Sequence, residues 1–180
     1  MQAQLPSWSG ASSLIVRTAM ITLSLSRRSA LVLAFPRFFT KLAEDMREYN
    51  GSERPAYTPE FIENLKADEV FVFGSNLAGM HGGGAAYVAF RKFGAVMGCG
   101  VGLRGQSYAI PTMQGGVETI KPYVDEFIEF AKAHPEQFFY VTRIGCGIAG
   151  FRDKDIAPLF ADAVSLPNVC LPESFVKLLV

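Results

Sequence analysis

Apolar positions follow two rhythms along this chain. Val70-Phe71-Val72-Phe73 and Phe138-Phe139-Tyr140-Val141 are short unbroken apolar runs. Between them, Ile120, Tyr123, Val124, Phe127, Ile128 and Ala131 recur at three- and four-residue steps. An unbroken run bounded by turn residues reads as a strand buried on both faces, as in a parallel sheet. The three-and-four spacing reads as a helix with one face on the core, here Val117–Ala133. The same pattern predicts strands over residues 69–73, 106–111, 136–144 and 168–171. Further helices are predicted from Ala85 to Phe93, stopped by Gly94, and from Asp153 to Val164. A short helix is expected at Thr58-Pro59-Glu60, with Thr58 as N-cap and proline at the first helical position, running through Phe61, Ile62 and Leu65. Residues 52–59 read as a linker or edge segment, 98–105 as a flexible connection, and 172–175 as the end of the fold. Strands alternating with helices predict an α/β sandwich on a parallel or mostly parallel sheet.

Composition adds limits. The chain has 180 residues, 49% of them hydrophobic, and a formal net charge of zero. That suits one globular domain with a sizeable core. Neutrality gives no electrostatic case for nucleic acid or an anionic membrane as a general partner. Cys99, Cys146 and Cys170 are odd in number and irregularly spaced, which favours a reducing, cytoplasmic setting over a disulfide framework. With only His81 and His134 beside them, a metal centre is poorly supplied, and none is expected.

Residues 1–45 differ from the rest. Arg17, Arg27, Arg28 and Arg37 stand among Ser, Leu, Ala and Val before the first acid, Glu44. Such a stretch is transit-like or secretory in composition, and its arginines interrupt the roughly 20 apolar residues that a membrane span requires. The simpler expectation is an extension outside the domain, with a natural start near Met46 and a mildly acidic domain over residues 46–180.

The chemistry concentrates in two glycine-rich loops. The first follows the strand over residues 69–73: Gly74-Ser75-Asn76-Leu77-Ala78-Gly79-Met80-His81-Gly82-Gly83-Gly84-Ala85-Ala86. The second follows residues 136–144: Gly145-Cys146-Gly147-Ile148-Ala149-Gly150-Phe151. Both lie at carboxyl ends of strands, where open α/β sheets bind ligands. Glycines let main-chain N–H groups approach an anion, and a helix N-terminus adds positive potential. Two such loops on one edge predict a clamp for a phosphate or diphosphate. Gly145-x-Gly147-x-x-Gly150 also matches a dinucleotide fingerprint after a strand, which leaves a Rossmann-type dinucleotide binder as an alternative. No Gly-Lys-Ser/Thr is present, so a P-loop is excluded.

Together the two loops resemble macrodomains of the Appr-1-p processing type. Tyr108-Ala109-Ile110-Pro111-Thr112 corresponds to their central strand ending beside the site. The chain looks nearest to the branch holding DNA ADP-ribosylglycohydrolase antitoxins and terminal ADP-ribose protein glycohydrolases. It also resembles uncharacterised bacterial and phage proteins with the motif Phe73-Gly74-Ser75-Asn76-Leu77-Ala78-Gly79. The resemblance covers about residues 70–175 and implies a three-layer α/β/α sandwich binding ADP-ribose or an ADP-ribosylated substrate, with no cofactor. It implies a site at Gly74, Ser75 and Thr112, with Asn76 near the distal ribose. Gly82, Gly83, Gly84 and Ala85 would line one side of the diphosphate. Gly145, Cys146, Gly147, Ile148, Ala149 and Gly150 would wrap the other, with the Phe151 ring near the ribose. The hydrolytic relatives carry a lysine where this chain has Met113 and, in eukaryotes, an aspartate where it has Ala149. Hydrolysis of an ADP-ribosyl linkage, in phage defence or toxin neutralisation, would then fall to a bound water oriented by phosphate and by Asn76 or His81.

The remaining reactive side chains carry paired readings. Cys146 is either the nucleophile of a hydrolase or transferase, activated by a nearby helix N-terminus, or a small side chain packed under its loop. His81 is a general base or ribose contact, or a solvent-facing loop residue. Arg143 approaches phosphate or pairs with a carboxylate. His134 reads as a helix C-cap, and Asp153, Lys154 and Asp155 as caps and solvated charges.

Overall fold

A computed structural model of the protein describes residues 46–180; the extension expected over residues 1–45 lies outside them. The described chain opens with a two-stranded antiparallel hairpin, β1 (Met46–Tyr49) and β2 (Ser52–Pro55). Asn50 and Gly51 both take positive φ (49° and 69°), as a tight two-residue hairpin turn requires. This corrects the linker reading for residues 52–55; residues 56–59 form no helix or strand. The hairpin is anchored by Arg54, which is buried and ion-paired with Glu69 and Asp68. Arg47 donates to the Val169 carbonyl (2.7 Å), and both guanidinium groups lie 5.0 Å from the Phe138 ring centroid.

The remaining strands are β3 (Glu69–Ser75), β4 (Gly102–Arg104), β5 (Ser107–Pro111), β6 (Phe138–Val141) and β7 (Val169–Cys170). They form one sheet in the order β4-β5-β3-β6-β7. β3 pairs in parallel with β5 and β6, and β6 with β7, whereas β4 runs antiparallel to β5 at the edge. The fold is therefore mixed α/β with a mostly parallel five-stranded sheet. β4 corrects the expected flexible connection: its three residues are too few and too polar to declare a strand without the partner beside them.

The helices are α1 (Gly84–Lys92), α2 (Val117–Ala133), α3 (Asp153–Ile156) and α4 (Glu173–Leu179). A 3₁₀ helix, Ala157–Ala163, continues α3. Pro158 sits where a continuous α-helix would need its N–H, which explains why the helix expected from Asp153 changes form after one turn. α4 corrects the expected end of the fold. No helix forms after Thr58. Instead, its N–H donates to the Leu171 carbonyl (2.9 Å) and its hydroxyl to the Cys170 carbonyl (2.7 Å), tying the segment to β7.

Side chains alternate across the sheet. Val70, Val72, Ile110, Phe139 and Val141 meet Ile120, Val124, Phe127 and Ile128 of α2, together with Phe160 and Phe175. Phe71, Phe73 and Ala109 face the other way, toward Ala86, Ala89 and Phe93 of α1 and its C-cap. Helices thus cover both faces and leave the carboxyl ends of β3, β5 and β6 at one edge. Among the described residues, no helix is long and apolar enough to cross a membrane.

Candidate functional site

The strand ends converge by register. Ser75 pairs with Pro111 and Val72 with Val141. Thr112 N–H then donates to the Ser75 carbonyl (2.9 Å) and Thr142 N–H to the Val72 carbonyl (3.0 Å). A cleft of about 360 Å³ opens above these ends. Of the residues expected at the site, Gly74, Ser75, Asn76, Gly82, Gly83, Gly84, Ala85, Thr112, Gly145, Gly147, Ile148 and Ala149 line it. Met80, Ala86, Met113, Thr142, Arg143 and Ile144 line it as well. Among the described residues, Arg143 is the sole ionisable side chain in that lining.

Each long wall presents main-chain donors. On α1, the first N–H bonded back into the chain is that of Tyr87, to Gly83 (3.1 Å). The N–H groups of Gly84, Ala85 and Ala86 precede it at the positive end of the helix, which has no side-chain cap and no acid in its first turn. In the second loop, Cys146 N–H bonds to Arg143, Gly150 N–H to Gly147 and Phe151 N–H to Gly145. Between them, Gly147, Ile148 and Ala149 donate to no carbonyl among the described residues. Consecutive free N–H groups in a glycine turn make a concave anion site. Gly74 lets β3 pass close beneath: a Cβ there would lie 3.3 Å from the Gly145 nitrogen.

Several expected side chains have other employment. Asn76 borders the cleft, but its amide closes its own loop. Oδ1 accepts from Met80 N–H (3.0 Å) and Nδ2 donates to the Met80 carbonyl (2.9 Å). His81 is fully buried and does not line the cleft. Its Nε2 lies 3.1 Å from the Val96 carbonyl and 3.2 Å from that of Cys99, with Phe73 edge-on at 5.3 Å. It braces the first loop against residues 96–99, unlike the solvent-facing or catalytic histidine expected. Gly150 and Phe151 also stay out of the lining. The Phe151 ring packs under the second loop, 3.3 Å from where a Gly145 Cβ would stand.

Cys146 is half-buried, and its Sγ is 3.4 Å from the Ile144 carbonyl. Burial, reinforced by the Asp153 carboxylate, pushes its thiol up to about 12. That is the reverse of the activation expected from a helix N-terminus; α3 is a single turn, and its first turn carries the acids Asp153 and Asp155. Burial also works to raise Asp153, but the hydrogen bonds and positive charge of Arg143 outweigh it and hold the carboxyl below its ordinary range. Arg143 grips Asp153 with a fork: Nε to Oδ1 3.1 Å, Nη2 to Oδ1 2.8 Å and Nη2 to Oδ2 3.0 Å. Of its two expected partners, the carboxylate is present.

A second cavity of about 750 Å³ adjoins the first, sharing Thr142 and Arg143. Its other walls are Pro55, Tyr57, Thr58, Pro59, Glu60, Pro172, Glu173 and Ser174. Sequence reasoning missed it because three separated segments supply those walls and no local motif joins them. Among the described residues, no cluster of three or more His, Cys, Asp or Glu side chains is arranged to hold a metal ion. Comparison with protein-family models, with curated proteins and with solved structures finds no match in any of the three.

Proposed function

We propose that the cleft binds ADP-ribose or a related nucleoside diphosphate, with the diphosphate between the two glycine loops. The observation that carries this reading is that two rows of unbonded N–H groups, Gly84–Ala86 and Gly147–Ala149, line one cleft to which, among the described residues, no acidic side chain contributes. A diphosphate needs several N–H donors and close approach; both walls carry such donors, and the one side chain that reaches from the second loop to Gly83 and Gly84 is that of Ile148. The adjoining cavity gives an elongated ligand room beyond the diphosphate. Helices against both faces of the sheet suit the three-layer arrangement of macrodomain-like proteins, the family whose loop motifs the chain resembles, and a cytoplasmic setting suits its free thiols.

The reading is one of binding before catalysis. Met113 and Ala149 stand where the hydrolytic relatives have a lysine and an aspartate, and among the described residues no histidine or carboxylate lines the cleft. Hydrolysis of an ADP-ribosyl linkage here would require a water held by the ligand's own phosphates. A Cys146 nucleophile is disfavoured by the upward push on its thiol. The dinucleotide fingerprint at Gly145–Gly150 opens a helix of only four residues, which adds little N-terminal potential. Calorimetric titration of the full chain with ADP-ribose, NAD and ADP tests the proposal. Saturable binding of ADP-ribose is expected, and absence of heat at millimolar ligand rejects it.

A further inference from the structure

Arg143 occupies an unusual position. Among the described residues it is the one ionisable residue lining the first cleft, and it also lines the second cavity, so it stands at the saddle between them. Its side chain is 61% exposed although it is ion-paired, whereas that of Asp153 is 19% exposed. Asp153 takes Nε and Nη2, while Nη1 has no part in that pair. The result is a guanidinium with one edge fixed to a mostly buried carboxylate and its other edge still accessible. A planar fork anchored this way is pre-organised, so little side-chain entropy remains to be lost when it meets an anion.

We propose that Arg143, oriented by Asp153, reads the charge of a ligand that spans both cavities, its guanidinium taking the phosphate nearest the second cavity while backbone N–H groups take the rest. This rests on the binding reading above and adds a specificity to it. The glycine loops accept any anion of the right size. Arg143 favours one whose phosphate lies at the saddle and whose remainder continues toward Tyr57 and Glu60. Asp153 is a positioning residue: its negative charge weakens the pull of Arg143 slightly, but its hydrogen bonds fix the fork.

The test is calorimetry of the full chain with ADP-ribose at two ionic strengths, for the unaltered protein, Arg143→Gln and Asp153→Asn. Loss of a charge-assisted contact predicts about ten- to a hundredfold weaker binding for Arg143→Gln. Its dependence on salt should also flatten, a change that a purely structural role would not produce. Asp153→Asn, which keeps the cation but loosens its fork, should lose less affinity and retain the salt dependence. Melting temperatures report folding for each variant. If Arg143→Gln binds ADP-ribose as the unaltered chain does, with the same salt dependence, the role of Arg143 is overturned and the binding reading stands. If the unaltered chain binds no ADP-ribose, both are overturned.

Discussion

Gly147 offers a way to separate binding from folding. It lines the cleft, its φ lies outside the left-handed region, and a Cβ built there meets nothing within 4 Å. Gly147→Val therefore has no clash and no backbone strain to overcome in the ligand-free protein. Exposed substitutions of this kind change stability by about 0.5 kcal/mol or less, a shift of roughly 2 °C in melting temperature. Against a ligand the same side chain acts as a spacer. It occupies the space through which a phosphate reaches the N–H groups of Gly147, Ile148 and Ala149. Hydrogen bonds to a charged acceptor contribute about 1.5–3 kcal/mol each. Displacing the phosphate from one or two of them costs about 1.5–6 kcal/mol, which weakens binding by at least tenfold and by about ten-thousandfold at the upper end. Calorimetry with ADP-ribose gives the affinity, and a thermal melt of the same sample gives the stability. An unchanged affinity with an unchanged melt would refute the reasoning, because the cleft would then not be where the ligand sits. A melting temperature lowered by more than about 5 °C would instead refute the open space around Gly147.

Three further predictions concern the scaffold. Arg54→Met leaves the buried Glu69 carboxylate without its cation and should cost about 3–5 kcal/mol in chemical denaturation; adding Glu69→Leu should recover part of that, and a single-variant loss below about 1 kcal/mol would contradict the role given to the pair. Gly100→Ala would set its Cβ 1.9 Å from the Asn76 carbonyl oxygen, so it should destabilise the protein by about 2 kcal/mol or more, and an unaltered denaturation midpoint would show that the two loops do not cross there. Burial first of all pushes the thiols of Cys146 and Cys170 up, to about 12 and about 11, from an ordinary 9.0. The unfolded chain releases these protons near pH 9 while the folded chain retains them, so this contribution to stability is full below pH 9 and is lost as pH rises toward 11–12. Melting curves from pH 8 to 11 should fall, less steeply for Cys170→Ala, and equal slopes for that variant and the unaltered protein would count against the buried thiol as a cause.

The legible parts of the fold were those whose physics is local. β3 and β6 are apolar runs because both sheet faces are covered, and α2 repeats every three or four residues because one side meets the core. What stayed hidden depends on distant partners. Thr58 carries a good helix-start signal, but the carbonyls of Cys170 and Leu171 capture its donors. Asn50-Gly51 is a hairpin signal flanked by charged residues, and Glu69 and Asp68, the partners that hold Arg54, lie outside the hairpin. At the site, the glycines were readable because their use is in the backbone. The side chains are not: Asn76 and His81 sit in the right loop, yet Asn76 spends its amide closing that loop and His81 spends its Nε2 bracing it against residues 96–99. Arg143 was left between two roles because its sequence neighbours do not reveal that the two cavities meet beside it.

The most direct test is a two-dimensional amide NMR titration of the ¹⁵N-labelled full chain with ADP-ribose. The two-loop clamp predicts saturable shifts at Gly84, Ala85, Ala86, Gly147, Ile148 and Ala149, largest where the N–H groups now lack a partner. Shifts confined to other parts of the chain, or none at millimolar ligand, would contradict it.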